Sequence, residues 1–437
     1  MSMGTAHNEE NAARVVRPAR RPLSGVVRVP GDKSIAHRAV IFNALGRGVA
    51  RVSGIPGGQD VASSIAVMQG LGALITRDGD ALRIEGTSMR LAAPSQPLDC
   101  GNSGTTMRLL MGALAGQGFD ASLVGDESLS RRPMERVAKP LREMGAKFAT
   151  TDGHAPVLVH SADLEGAHHV LGVASAQVKT ALLLAALQAA GTTSVTEPDL
   201  SRDHTERMLT AMGVHLLRDG LRVSVTGPAV PDCIDVAVPG DPSSAAFLAV
   251  AASLIEGSDL TVEGICLNRT RTGFIAVLRR MGADLMVEEA AGADSTGGET
   301  TGSLRIRATA LEGTHIGGDE IPATIDELPV LAVAAAAARG TTVITGAREL
   351  RYKESDRIAT IARVLGNLGI DVDEHEDGMT IHGGTLRGGS VDAAGDHRVA
   401  MSAAVAGLSS ESPVEIRGAG VAAVSFPGFY ELLEEMT

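Results

Sequence analysis

One short pattern recurs five times along this chain of 437 residues. It is the apolar end of a helix, a glycine, an apolar–polar run, a polar turn and a second run. It appears as Gly-Leu-Gly-Ala-Leu-Ile-Thr at 70–76 with Ala-Leu-Arg-Ile at 81–84. It returns at Met144–Phe148, Met212–Leu216, Met281–Leu285 and Leu368–Val372. Its glycines, Gly72, Gly145, Gly213, Gly282 and Gly369, lie 73, 68, 69 and 87 residues apart. A glycine in that place reads as a helix C-cap, where the backbone needs a positive φ. The alternation behind it reads as a half-buried hairpin. The long last step contains Ala290–Gly302, rich in Gly, Thr, Ser and acid, which is expected to be a surface hairpin tip or loop.

A larger repeat lies over the first. Val27-Arg-Val-Pro-Gly-Asp-Lys-Ser34 matches Val236-Ala-Val-Pro-Gly-Asp-Pro-Ser243 at six of eight positions, 209 residues apart. Each copy leads into a small-residue apolar helix. The chain is also too long for one ordinary core. It therefore predicts an α/β protein of two similar lobes, each made of about three repeated units, with a cleft between them. We expect 1–12 to be a disordered tail and 30–238 to form the first lobe. The second lobe is expected to take 13–29 together with 239–437, since the chain enters the first lobe only after Val29.

Composition narrows the partners. A net charge of −13 argues against nucleic acid or an anionic membrane, so any anion site must be local. Aromatic residues are 2% and Trp is absent, which does not suit a binder that stacks its ligand on rings. Cys100, Cys233 and Cys266 are too scattered for a disulfide framework or a zinc site. A reducing, cytoplasmic setting is expected, with no metal and no cofactor. The longest apolar run, Leu328–Ala338, is too short to cross a bilayer. Residues 1–20 lack the apolar stretch of a secretory signal.

Bases gather at helix starts. After Pro-Gly-Asp the first copy continues Lys33-Ser34-Ile35-Ala36-His37-Arg38, whereas the second continues Pro242-Ser243-Ser244-Ala245-Ala246-Phe247. The shared backbone does not require Lys33, His37 and Arg38, and a helix N-terminus with bases is a ready anion site. A solvated helix face is the other reading. Gly101-Asn102-Ser103-Gly104-Thr105-Thr106-Met107-Arg108 opens another helix, which an ordinary Asn or Ser cap explains equally well. Cys100 beside it reads as a buried structural thiol. Arg131-Arg132-Pro133 predicts a helix whose first turn holds Pro133 and whose Arg132 and Arg136 repel at i,i+4. Lys353 and Arg357 are expected on one helix face, paired within the helix or around an anion. Asp326-Glu327 before an Ala-rich helix is either ordinary capping or a held carboxylate base. Asp396-His397-Arg398 is a further base-bearing helix start.

Taken in order, these segments resemble the EPSP synthase family of enolpyruvyl transferases. The matching strings are Pro30–Arg38, Gly101–Arg108, Ser128–Met134, Ser175–Ala181, Arg202–Glu206, Asp326–Pro329, Glu349–Arg357, Asp396–Arg398 and Ser425–Phe429, which run through almost the whole chain. The resemblance implies lobes of βαβαββ units that close over shikimate 3-phosphate and phosphoenolpyruvate (PEP), acting as a monomer on these two small molecules. It implies that Lys33, Ser34, Arg38, Ser175, Ala176, Gln177, Arg202, Asp326 and Lys353 hold shikimate 3-phosphate. PEP would lie on Lys33, Asn102, Gly104, Arg132, Gln177, Arg357 and Arg398. Asp326 would be the general base, and Glu354 with Lys33 would handle the proton at the methylene carbon.

The chain departs from some members of that family. Ala176 stands where they have Ser, Leu109 where they have Pro, and Val424 where they have a Lys that meets the PEP phosphate. Gly104 leaves the PEP pocket open, which implies sensitivity to the PEP-competitive inhibitor glyphosate. Two alternatives stand beside this reading. The sister family that uses UDP-N-acetylglucosamine works with a Cys on a mobile loop, and no Cys here lies in a Pro-Gly-Gly-Cys-like segment. A catalytically dead anion-binding protein would not need Asp326 and Glu354.

Overall fold

The computed structural model describes residues 13–290 and 297–437. The tail read at 1–12 lies outside the described residues, as do residues 291–296 of the loop read at 290–302. All five repeated glycines take a positive φ, from +82° to +98°. At each, the residue after the glycine donates its N–H to the carbonyl five residues back: Ala73 to Met68, Ala146 to Leu141, Val214 to Leu209, Ala283 to Leu278 and Ile370 to Leu365. This is one helix-ending device used five times, and it needs the left-handed conformation that only glycine adopts cheaply. An antiparallel hairpin follows in every case.

The hairpins fix the sheet topology. Each supplies two strands to a four-stranded sheet whose third member is antiparallel and whose fourth is parallel to that third. In one sheet, Leu98–Asp99 runs parallel to Ala121–Val124, which pairs antiparallel with His154–His160 and through it with Lys147–Thr151. Among the described residues five sheets follow this order, and a sixth has three strands. The sixth is completed by Arg14–Val16, which pairs with Val414–Arg417.

The chain divides into two compact units. The first comprises Gly31–Pro239 with the described residues 297–299, and the second comprises 13–30, 240–290 and 300–437. Residues 297–299 correct the surface-loop reading for that stretch. Glu299 is buried and meets His204 Nδ1 at 2.6 Å, and Arg207 donates to the Gly298 carbonyl.

Within each unit three apolar helices form the interior. In the first these are Lys33–Leu45, Gly104–Leu114 and Ala176–Ala186; in the second, Pro242–Leu254, Leu328–Ala337 and His397–Leu408. Small residues let them touch at backbone distance. A Cβ on Gly112 would come 2.0 Å from the Ala181 carbonyl oxygen, so two helices of the first unit cross with no side chain between them. Among the described residues no helix is long and apolar enough to cross a membrane.

Candidate active site

In the first unit, Asp32 caps the helix Lys33–Leu45 by accepting from the Ile35 N–H at 2.8 Å. The helix carries buried side chains along almost its whole length, which removes the solvated-face reading for His37 and Arg38. Lys33 Nζ reaches Asp60 Oδ2 at 2.8 Å. Ser34 Oγ accepts from Arg202 at 3.4 Å. Arg38 donates to Thr205 Oγ1 and Thr180 Oγ1, both at 2.8 Å, and to the Ser34 carbonyl at 2.9 Å. Burial lowers its pKa to about 10, so it stays protonated at neutral pH. Among the described residues it makes no ion pair.

His37 behaves differently. Burial pushes its pKa down to about 3, with Lys33 and Arg38 adding to the effect against Asp60. It is a neutral ring, and its Nδ1 meets Ser64 Oγ at 2.8 Å. The row continues from Ser64 to Thr106 at 2.8 Å and from Thr106 to Ser103 at 2.7 Å. Ser103 is the cap of the next motif, accepting from the Thr106 N–H.

Around Gly104 the arginines are arranged by geometry that the sequence hides. The helix after Pro133 starts only at Glu135, so Pro133 is not in its first turn and Arg132 does not face Arg136 across an i,i+4 step. Arg131 turns outward to Glu127, while Arg132 donates to Asn102 Oδ1 at 2.7 Å. Asn102 is held in turn by Asp126 at 2.7 Å. Arg108 donates to Gln177 Oε1 at 2.6 Å, and Gln177 donates to Thr105 Oγ1 at 2.9 Å. A Cβ on Gly104 would sit 3.3 Å from Arg108 and 3.4 Å from Arg132, so two guanidinium groups flank this glycine. Like charges so placed favour an anion. Ser175 stands at the start of Ala176–Ala186 without turning its hydroxyl back onto the helix.

In the second unit, Asp326 and Glu327 precede the helix Leu328–Ala337, yet neither side chain caps it. Capping therefore does not explain the acid pair. Asp326 Oδ1 lies 3.3 Å from Lys353 Nζ and 3.4 Å from Arg357. Its Oδ2 lies 3.7 Å from Arg398, which also donates to the Asp326 carbonyl at 2.8 Å. Three cations thus face one carboxylate.

Lys353 and Arg357 do not share a helix face. Arg348–Tyr352 is a 3-10 turn, and the α-helix begins at Arg357 with Asp356 as its cap. Arg357 is fully buried, meeting Asp396 at 2.8 Å and Glu354 at 2.7 Å. Burial opposes its charge, but Asp396, Glu354 and Asp326 together hold its pKa above the usual arginine value. Burial likewise works against the Asp396 carboxylate, and Arg357 outweighs it, so its pKa falls. Asp396 also caps His397–Leu408, accepting from the Arg398 N–H.

Asp60 and Arg271 were not legible in the sequence, while Arg108 and Glu327 lay in visible motifs without an assigned role. Arg271 fills the place left without bases in the second Pro-Gly-Asp copy, meeting Asp241 at 2.7 Å and Ser243 at 3.0 Å. Ser243 donates to Glu327, which lies 3.8 Å from Arg398. Arg108 closes a motif that was visible, and its spacing of four from Gly104 is the signal that could have found it. Arg271 lies in a loop with no such signal. Burial pushes the Cys100 thiol up to about 12, with Asp99 adding, as suits a structural thiol. Among the described residues no group of three His, Cys, Asp or Glu is placed to hold a metal.

The chain was compared with known proteins. The family model for EPSP synthase (3-phosphoshikimate 1-carboxyvinyltransferase) matches residues 18–433. A 3-phosphoshikimate 1-carboxyvinyltransferase of Halorhodospira halophila is 50% identical over 419 residues, covering 95% of this chain and 94% of that protein. The protein of that name from Shouchella clausii is 45% identical, covering 98% and 100%. The solved EPSP synthase of Acinetobacter baumannii superposes with a TM-score of 0.87 at 43% identity, covering 97% of this chain and 98% of that one.

Proposed function

The chain belongs to the EPSP synthase family, and on that premise we propose how its residues transfer the enolpyruvyl group of PEP to the 5-hydroxyl of shikimate 3-phosphate with release of phosphate. Shikimate 3-phosphate is held by Lys33, Ser34, Arg38, Ser175, Ala176, Gln177, Arg202 and Lys353. PEP is held by Lys33, Asn102, Gly104, Arg132, Gln177, Arg357 and Arg398. Asp326 takes the proton of the 5-hydroxyl as that oxygen bonds to C2 of PEP. Glu354, with Lys33, delivers a proton to C3. In the second step a C3 proton is removed, the C2–O bond to phosphate breaks and the enol ether forms.

The observation that carries this reading is Arg38. A buried guanidinium that contacts only neutral oxygens is costly unless an anion completes it. The two arginines flanking Gly104 support a second anion site, suited to a ligand with both phosphate and carboxylate. The three cations around Asp326 fix the position of its carboxylate, which a base requires. We place the enzyme in the cytoplasm, as a monomer, where the thiols of Cys100, Cys233 and Cys266 stay unpaired.

A phosphate-release assay decides the matter. Phosphate should appear from PEP with shikimate 3-phosphate and not with UDP-N-acetylglucosamine. Release with the latter acceptor would favour the sister activity, and none with either would mean an inert anion binder.

A further inference from the structure

Thr180 and Thr205, the two side chains that hold Arg38, hydrogen-bond to each other at 2.6 Å. Each adjoins a member of a buried ion cluster. Thr180 follows Lys179, and Thr205 precedes Glu206. Lys179 Nζ lies 2.6 Å from Glu197 Oε2 and 2.7 Å from Glu206 Oε1. All three side chains are at most 10% exposed. The remaining oxygen of Glu206, Oε2, is buried and accepts no hydrogen bond. So a carboxylate with a spare oxygen lies near a guanidinium with no ion-pair partner, and the two do not meet. After burial, Glu206 is the strongest influence on the charge of Arg38. Opposite charges at low dielectric attract strongly enough that something must keep them apart.

We propose that Lys179 is a positioning residue: by holding Glu206 it keeps that carboxylate off Arg38, so the guanidinium stays open to an anionic group of shikimate 3-phosphate. Glu197 is the second counter-charge of Lys179 and has no such link to Arg38. The inference rests on the assignment of Arg38 to shikimate 3-phosphate.

Two double variants test it with matched charge and burial. Lys179→Met/Glu197→Gln leaves Glu206 unheld, whereas Lys179→Met/Glu206→Gln removes the competitor. The first should raise KM for shikimate 3-phosphate about tenfold or more, as expected when a substrate-binding charge is captured internally. The second should stay within about threefold of the parent enzyme. KM for PEP should change little in either. The single variant Lys179→Met should resemble the first double if it folds. A merely structural lysine would give both doubles the same KM for shikimate 3-phosphate, and that result would overturn the proposal. Arg38→Gln separates the two levels. If it leaves KM for shikimate 3-phosphate unchanged, the assignment of Arg38 fails; if it raises KM while the doubles agree, only the role of Lys179 fails.

Discussion

Asp326 lies against three cations, two of which also meet other carboxylates, and this makes opposite predictions for chemistry and binding. Asp326→Ala should cut phosphate release by at least about a hundredfold, the usual scale for a lost general base. Binding of shikimate 3-phosphate, followed by calorimetry, should be largely intact, because Lys353, Arg357 and Arg398 keep their charge. Turnover that survives would remove Asp326 from the base role. Gly104 is the other residue whose size matters. Glyphosate should inhibit the parent enzyme in competition with PEP. Gly104→Ala puts a methyl 3.3–3.4 Å from two guanidinium groups, tight enough that they must shift. Inhibition assays at fixed PEP should show Gly104→Ala several-fold less sensitive, with a smaller rise in KM for PEP. Equal sensitivity would show that the inhibitor does not approach this glycine. The small residue and the acid were both visible in the sequence. Arg108 lies in the same motif as Gly104, but Arg132 for the glycine and Arg357 and Arg398 for the acid come from elsewhere in the chain.

At the scale of elements, the helices Lys33–Leu45, Gln59–Gly70 and Gly104–Leu114 are pinned by the row His37, Ser64, Thr106 and Ser103. His37 has a native pKa of about 3 against the ordinary 6.5, so between those values the unfolded chain takes up a proton that the folded one refuses. Stability must therefore fall as pH drops below 6.5, by up to about 1.4 kcal/mol per pH unit from this group. His37→Asn keeps a polar group near Nδ1 and loses that slope. Urea unfolding at pH 7, 6 and 5 should find the gap between parent and variant narrowing by about 2 kcal/mol. Parallel pH profiles would mean that His37 becomes protonated in the native state. Helix boundaries are also where the sequence misled. Lys353 to Asp356 reads as helix by its charge spacing, but the Asp356 side chain accepts from Ala359 and starts the helix one residue later, at Arg357. A cap outweighs a run of helix-favouring residues because it satisfies an otherwise unpaired N–H.

Across the whole molecule the chain order and the units do not coincide. Arg14–Val16 completes a sheet with residues near the other end of the sequence, and Arg14 pairs with Glu431 and lies over the Tyr430 ring. Val16 is 8% exposed in the core of the second unit. Val16→Asp should therefore destabilise the protein by about 2 to 3 kcal/mol, read as a lower denaturation midpoint. An unchanged midpoint would show that the strand is dispensable. The sequence by itself determined the repeated units, the glycine that ends a helix in five of them, and the helix starts that bear the bases. These are local: a turn needs φ > 0 whatever surrounds it, and a hairpin needs alternation. The tertiary structure alone decided which charges meet. Asp60 for Lys33, Arg108 for Gln177, Arg271 for the base-poor copy and Lys179 for Glu206 are all pairings across elements. Their strength depends on burial, and burial is a property of the packed unit and not of any stretch of chain.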